Sequence, residues 1–161
     1  TVIIFGDHGW NLREHGLWCK HCNFRTSLRC ALMVRDPDIK GNKQTGALVE
    51  YVDIYPTLCD LCNLPLPDHL AGKSFVPILK DPNKEGKEQL ICRWYEGISL
   101  KTNSYLYTEW SKSETDIYAR MLFNHRFDQD ETKDISKMPQ NDSLVKKLSD
   151  ELHNNWGKDF N

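Results

Sequence analysis

The sequence lacks the long apolar runs of a membrane protein and the charge excess of a protein that binds polyanions. Its apolar runs, such as Val2 to Phe5, have the length of a strand, whereas a membrane span needs roughly 20 residues. The formal net charge is -2 over 161 residues, so electrostatics favours neither nucleic acid nor an anionic membrane. We therefore expect no membrane span and no nucleic-acid partner.

An initiator Met and a signal peptide are also missing from the sequence. The chain opens directly on the apolar run Val2 to Phe5, which is typical of a buried strand of the parallel kind. Because domains rarely begin on a core strand, we expect that the chain begins partway through a larger protein.

The cysteines are too few and too widely spaced for a small disulfide scaffold. Six cysteines permit disulfides without showing any, and they leave the cellular compartment open. Two Cys-x-x-Cys pairs, Cys19 with Cys22 and Cys59 with Cys62, would suit a tetrahedral zinc site. The long gap between the pairs argues against zinc, as does the tendency of a free cysteine to pack as a small apolar residue. A zinc-binding structural module is kept as an alternative.

The first half of the chain has the pattern of an α/β protein. A second short apolar strand is predicted over Cys30 to Val34, after a polar loop. Apolar residues recur at helical spacing over Leu48 to Leu61, where Pro56 predicts a kink or a new first turn.

The second half predicts a small antiparallel sheet closed by a C-terminal helix. Apolar and polar residues of Ser143 to Trp156 separate onto two faces, and Asn141 or Asp142 is the expected N-cap. We therefore predict two domains, 1–88 and 89–161, that pack as one body. The three predicted strands are Leu90 to Tyr95, Ser104 to Trp110 and Tyr118 to Phe123.

Chemistry-bearing residues follow the first strand. Ligands of open α/β sheets bind at the carboxyl ends of strands, and this strand ends in a run from Gly6 to Trp10. Asp7 offers the hard oxygen that Ca²⁺ or Mg²⁺ prefers, and His8 adds a ligand or a hydrogen-bond donor. Lys20 would supply a fixed positive charge to a sulfate or phosphate, although an Asp-His turn and a surface lysine explain the same residues.

These residues resemble the sulfatase family, closest to its iduronate-2-sulfatase and choline-sulfatase-like branch. The resemblance continues along nearly the whole chain, and the motifs are specific when taken together. They are Gly6-Asp7-His8-Gly9-Trp10, Glu14-His15-Gly16-Leu17-Trp18 with Lys20-His21 and Asn23-Phe24, Arg29 before the second strand, Val52 to Leu58, and Leu122-Phe123-Asn124-His125 with Asp128, Asp130, Glu131 and Ile135.

The resemblance implies an α/β fold of the alkaline-phosphatase-like type, of which this chain forms the C-terminal part of the main sheet domain and the C-terminal subdomain. It implies that Asp7 and His8 are the cation ligands that come later in the sequence of such a protein, the cation usually being Ca²⁺. It also implies that Lys20 contacts the sulfate and the leaving oxygen. Trp10, His15 and His21 would shape the substrate pocket. The implied activity is hydrolysis of sulfate esters, on a sulfated small molecule or carbohydrate, in a lysosomal, periplasmic or secreted protein.

The family's nucleophile motif, Cys-x-Pro-x-Arg or its Ser variant, does not occur in the sequence. The pair of aspartates that the family supplies as its other metal ligands is also missing. Two ligands do not complete a Ca²⁺ site, which takes about 6–8 oxygens. We therefore expect this chain alone to be inactive, to bind calcium weakly, and to need the missing N-terminal segment as its partner. Arg25 and the pair Cys30-Ala31 depart from the family pattern and put only pocket detail in doubt.

Other functions remain open. A phosphoesterase of the same superfamily could hold phosphate with the same three residues, and the upstream nucleophile would discriminate. A structural chain, such as a processed subunit, would leave apolar edges of the first strand exposed.

Several further residues have two explanations. The aromatic residues of the predicted sheet could line a sugar-binding surface, but we favour core packing for all of them. The run from Asp128 to Lys133 is predicted to be a solvated turn. No partner that would suggest catalysis is evident for His69, His125 or His153. The aromatic residues are Trp94, Tyr95, Tyr105, Tyr107 and Trp110.

Overall fold

The structure, a computed structural model, describes residues 1–112 and 116–156. Eight strands and four α-helices lie in these residues, together with three short 3-10 turns at Glu14–Gly16, Tyr51–Asp53 and Pro139–Asn141. The strands are β1 (Val2–Phe5), β2 (Asn11–Leu12), β3 (Trp18–Cys19), β4 (Leu32–Arg35), β5 (Gln89–Trp94), β6 (Gly97–Thr102), β7 (Tyr105–Ser111) and β8 (Ile117–Asn124). The helices are α1 (Arg25–Leu28), α2 (Ile54–Leu61), α3 (Val76–Lys80) and α4 (Asp142–Asn155).

The chain folds into two compact units, and each is built from two separate stretches of sequence. The first unit contains Thr1–Phe5 and Ala31–Leu90, and the second contains Gly6–Cys30 and the chain from Ile91 onwards. The loop that carries the candidate site residues therefore belongs to the same unit as the C-terminal sheet. The predicted contiguous domains 1–88 and 89–161 remain a prediction.

In the first unit, β1 pairs with β4 in antiparallel register, with Ile3 opposite Val34. The strand was predicted correctly, but the expectation of a buried strand of the parallel kind is wrong. Val2 and Ile4 are 57% and 58% exposed, because the two-stranded ribbon has no further strand beside it among the described residues. Exposed apolar residues at this position are what the structural-chain alternative expected.

A buried carboxylate holds the helical part of the first unit together. Asp53 is 2% exposed, and its carboxylate accepts hydrogen bonds from the backbone N–H of Glu50 and of Lys73, both at 2.8 Å. Lys87 Nζ lies 2.8 Å from the same carboxylate and neutralises its charge. The α-helix begins at Ile54, so Pro56 lies in the first turn, where a missing N–H breaks no intrahelical bond.

In the second unit, four strands form one sheet in the order β5-β6-β7-β8. The pairs β6–β7 and β7–β8 are antiparallel, which confirms the predicted antiparallel sheet. The predicted C-terminal helix is also confirmed as α4, with Asn141 at its N-cap position but no side-chain capping bond. The helix packs on the sheet through a core of Leu100, Tyr107, Leu122, Leu148 and Leu152.

The strand β6 was not predicted from sequence. Leu100 on one face of the strand packs in the core. Gly97 and Ser99 on the opposite face are also buried, so small and polar residues weaken the apolar signal of the strand. Of the helices in the part of the chain that the structure describes, none combines the length and apolarity that a membrane crossing needs.

Candidate functional site

The loop that follows β1 is folded by contacts within itself. Gly9 donates its backbone N–H to the Ser27 carbonyl at 2.9 Å, and a Cβ at this position would lie 1.8 Å from the Thr26 carbonyl oxygen. Asn11 is fully buried and donates to the Cys19 carbonyl and to Ser27 Oγ, both at 2.8 Å. A glycine and a buried amide therefore fix the two ends of the loop against each other.

Three of the predicted site residues come together at the start of this loop. Lys20 Nζ lies 2.7 Å from His8 Nε2, and a carboxylate oxygen of Asp7 lies 3.3 Å from the same nitrogen. The Asp7 side chain is 81% exposed and that of His8 is 28% exposed, so the group opens to solvent. Lys20 and His8, 12 positions apart in sequence, are thus in direct contact in the fold.

The hydrogen bonds of His8 define its tautomer. The ammonium of Lys20 can only donate, so His8 Nε2 must accept and carries no proton. Its Nδ1, 2.7 Å from the Gly9 carbonyl oxygen, must then be the protonated nitrogen, because that carbonyl can only accept. In this tautomer the lone pair of Nε2 is directed at Lys20 Nζ.

This arrangement supplies two kinds of chemistry at one place. A carboxylate and a neutral imidazole nitrogen are both metal ligands, and Lys20 is a compact cation that attracts an anionic oxygen. No group of three or more His, Cys, Asp or Glu side chains that could hold a metal ion occurs in the described parts of the chain. The donors present fit part of a divalent-cation site and would need further oxygen ligands to complete it.

The three predicted pocket residues lie in different surroundings. The Trp10 ring is 6.0 Å from the His8 ring and is 51% exposed, so it borders the group of Asp7, His8 and Lys20. His15 stacks on Phe24 at 3.8 Å. His21 stacks on Trp94 at 4.6 Å with an interplanar angle of 21°. Their roles in a substrate pocket remain predictions.

A buried carboxylate that the sequence reasoning missed holds the loop to the C-terminal sheet. Glu131 is 3% exposed, and the predicted solvated turn is therefore wrong at this position. Its carboxylate accepts from His125 Nε2 at 2.8 Å and from the backbone N–H of Arg25 at 2.9 Å, and His15 Nε2 lies 4.0 Å away. The backbone of Glu131 has a φ of 56°, which is uncommon outside glycine and gave no signal in the sequence.

A lysine close to this carboxylate has an altered pKa. Burial, followed by the positive charge of Arg25, lowers the pKa of Lys101 to about 8, and Glu131 opposes the shift. Arg29 adds to the lowering. The second unit therefore gathers several cationic groups around one buried carboxylate.

The cysteines give the zinc alternative no support. All six are free thiols, and the two Cys-x-x-Cys pairs belong to different compact units. Cys22 Sγ instead lies 3.0 Å from Ser27 Oγ, within hydrogen-bonding reach. Cys59 is buried in α2 as an apolar side chain.

Comparison with known families gives a match over most of the chain. The family model described as N-sulphoglucosamine sulphohydrolase, C-terminal, matches residues 13–158. A curated relative, arylsulfatase K from Bos taurus, is 30% identical over 164 residues, which cover 92% of this chain and 30% of the relative. The chain thus spans less than a third of the length of this relative.

Solved structures show the same fold. The structure of BT4656 with its substrate D-glucosamine-2-N,6-O-disulfate has a TM-score of 0.84 at 22% identity, covering 94% of this chain and 33% of that one. Phosphonate monoester hydrolase SpPMH from Silicibacter pomeroyi has a TM-score of 0.81 at 18% identity. The match covers 94% of this chain and 33% of the hydrolase chain. The predicted fold class, an alkaline-phosphatase-like α/β chain with a small antiparallel sheet closed by a C-terminal helix, is confirmed.

Proposed function

Because the chain belongs to the N-sulphoglucosamine sulphohydrolase C-terminal family, we propose that it supplies the sulfate-binding lysine and two cation ligands to a sulfatase acting on sulfated carbohydrate. The observation that carries the proposal is the contact of Lys20 Nζ with His8 Nε2, beside the exposed carboxylate of Asp7. The substrate of BT4656, a disulfated glucosamine, supports the carbohydrate part of the proposal.

Each residue of the group has a separate task. Lys20 binds a sulfate oxygen and stabilises negative charge on the oxygen that leaves the sulfur. Asp7 offers its carboxylate, and His8 its unprotonated Nε2, to a divalent cation. A bound Ca²⁺ would neutralise charge on the sulfuryl group. Binding of an anion and a cation would separate Lys20 from His8, because both use atoms that now contact each other.

The remaining parts of such a site are proposed to lie outside these 161 residues. The sequence contains no Cys-x-Pro-x-Arg or Ser-x-Pro-x-Arg segment that could supply the nucleophile. It also supplies only two of the roughly 6–8 ligands of a Ca²⁺ ion. Arylsulfatase K from Bos taurus is more than three times as long as the segment that matches this chain. A protein of that length has room for the nucleophile and for the further cation ligands.

The test uses the full-length protein that contains this chain, with an aryl sulfate and a sulfated glucosamine as substrates. Lys20→Ala should lower kcat/KM by roughly 100-fold or more, as expected for one charged donor at a developing oxyanion. Lys146→Ala is the matched control, because that lysine is 77% exposed and pairs with Asp150 on α4. Equal activity of the two variants would refute the role of Lys20.

Hydrolysis of a phosphonate or phosphate ester is the second candidate function, since the phosphonate monoester hydrolase shares the fold. The same three residues could hold a phosphonate or a phosphate. Measuring kcat/KM for a sulfate monoester and for the phosphonate with the same aryl leaving group separates the two functions. A higher value for the phosphonate would favour this candidate over the sulfatase.

A further inference from the structure

Two aromatic residues of the C-terminal sheet are exposed although core packing was favoured for all five. Trp94 and Tyr95, at the turn between β5 and β6, are 44% and 77% exposed, whereas Tyr107 in the centre of the sheet is fully buried. Both side chains therefore lie at the surface, where they are available to a ligand. The expectation of core packing is therefore wrong for Trp94 and Tyr95.

The turn that carries this pair is held in an unusual backbone conformation. Tyr95 has a φ of 56°, in the left-handed region that bulky residues rarely adopt. Arg93 Nε donates to the Tyr95 carbonyl at 2.8 Å and stabilises the turn. Such conformations persist where the surrounding structure enforces them, and they cluster at binding sites.

The base of the turn is fixed to the loop that carries Lys20. Asn23, 2% exposed, donates through Nδ2 to the Gly97 carbonyl at 3.1 Å and to Ser99 Oγ at 2.9 Å. A Cβ at Gly97 would lie 2.8 Å from Asn23 Oδ1 and 2.7 Å from Trp110 Nε1, so only glycine permits this approach. The turn and the loop are therefore parts of one rigid arrangement.

The exposed pair is continuous with the candidate sulfate site. His21 directly follows Lys20, and its ring stacks on Trp94 at 4.6 Å. The carboxylate of Glu96 lies at the same turn and accepts a hydrogen bond from Tyr118 OH at 2.6 Å. The aromatic surface offers a face for the C–H bonds of a sugar ring, the Glu96 carboxylate offers an acceptor for a sugar hydroxyl, and the neighbouring Lys20 offers a cation for a sulfate.

We propose that Trp94 and Tyr95 form a second sugar-binding subsite, which takes the pyranose ring next to the sulfated residue bound at Lys20. The C–H face of the ring stacks on the aromatic side chains, and Glu96 accepts a sugar hydroxyl. The occupant is a sulfated oligosaccharide, because the surface adjoins the sulfate site through His21. This inference rests on the proposed sulfatase function and extends it from a single sulfated residue to a chain of them.

The test compares a sulfated tetrasaccharide with the corresponding sulfated monosaccharide in the full-length protein. For Trp94→Ala and Tyr95→Ala, the ratio of kcat/KM for tetrasaccharide over monosaccharide should fall by roughly tenfold, the loss typical of one aromatic contact. Tyr55→Ala is the matched control, because Tyr55 is 55% exposed on α2 and should leave the ratio unchanged. A ratio that stays constant in both turn variants would overturn the subsite.

Direct binding separates this inference from the proposed function. If the full-length protein hydrolyses neither substrate, the sulfatase proposal fails, and titration calorimetry with the tetrasaccharide still tests the subsite. A Kd raised roughly tenfold by Tyr95→Ala and unchanged by Tyr55→Ala would support it. Absence of saturable binding to the unsubstituted protein, or binding unaffected by Tyr95→Ala, would overturn it. The subsite would also be overturned if the Tyr95→Ala protein lost binding to a protein partner while its affinity for the tetrasaccharide stayed the same, because the surface would then be a protein-binding one.

Discussion

Replacing Glu131 should release the site loop from the C-terminal sheet. The Glu131 side chain is 1% exposed and accepts hydrogen bonds from His125 and from the backbone N–H of Arg25. Without the carboxylate, the His125 ring N–H and the Arg25 backbone N–H lose their acceptor, and each donor left unsatisfied costs about 1–3 kcal/mol. Glu131→Ala should therefore reduce the free energy of unfolding by about 2–5 kcal/mol. Glu131→Gln keeps one side-chain oxygen as acceptor and should cost roughly 1.5–3 kcal/mol.

The measurement is urea unfolding of the full-length protein, followed by tryptophan fluorescence, with hydrogen exchange of residues 24–30 as the local readout. A local loss of about 3 kcal/mol corresponds to amide exchange roughly 100-fold faster in that segment. Asp150→Asn is the control, because its surface pair with Lys146 on α4 is worth no more than about 0.5 kcal/mol. If Glu131→Ala destabilised the protein no more than Asp150→Asn, the loop would not depend on this carboxylate.

Two further predictions concern ionisable groups of the C-terminal sheet. Burial raises the pKa of Glu109, but hydrogen bonds from Ser149, Tyr107 and His153 outweigh it and hold the pKa below its ordinary value, so its stabilisation is present above about pH 4.5 and lost in more acidic solution. Glu109→Gln should therefore show a smaller drop in urea midpoint between neutral pH and about pH 3 than the unsubstituted protein, and an equal drop would refute this. Because burial lowers the pKa of Lys101 to about 8, the folded state favours its neutral form, and stability should rise with pH above that value. Lys101→Met should raise the urea midpoint at neutral pH and flatten the rise above about pH 8, and a lower midpoint would contradict the shift.

The parts of the site that are local in sequence could be predicted. An apolar strand followed by Gly6-Asp7-His8-Gly9 indicates a site at a strand end without any knowledge of the fold. Lys20 was assigned through resemblance, and its 2.7 Å contact with His8 shows that the loop between them closes on itself. The helix α4 could also be predicted, because apolar residues recur on one face over about four turns.

The parts that depend on distant contacts could not be predicted. Arg25 and Glu131 are 106 positions apart and are joined by one backbone N–H, which no periodic pattern reports. The strand β6 was missed because one of its two buried faces carries Gly97 and a hydrogen-bonded Ser99 in place of apolar residues. Exposure of β1 depends on which strands lie beside it, and the apolar composition of Val2 to Phe5 does not contain that information.

The division into units determines which residues fix the position of the loop that carries Lys20. Although the loop follows β1 in sequence, residues 6–30 belong to the same compact unit as the chain from Ile91 onwards. Glu131 binds the loop at Arg25, Asn23 of the loop binds the base of the β5–β6 turn, and His21 stacks on Trp94. Substitutions in the C-terminal sheet should therefore shift the position of Lys20 even where they lie far from it in sequence, because the sheet and the loop share one set of buried hydrogen bonds.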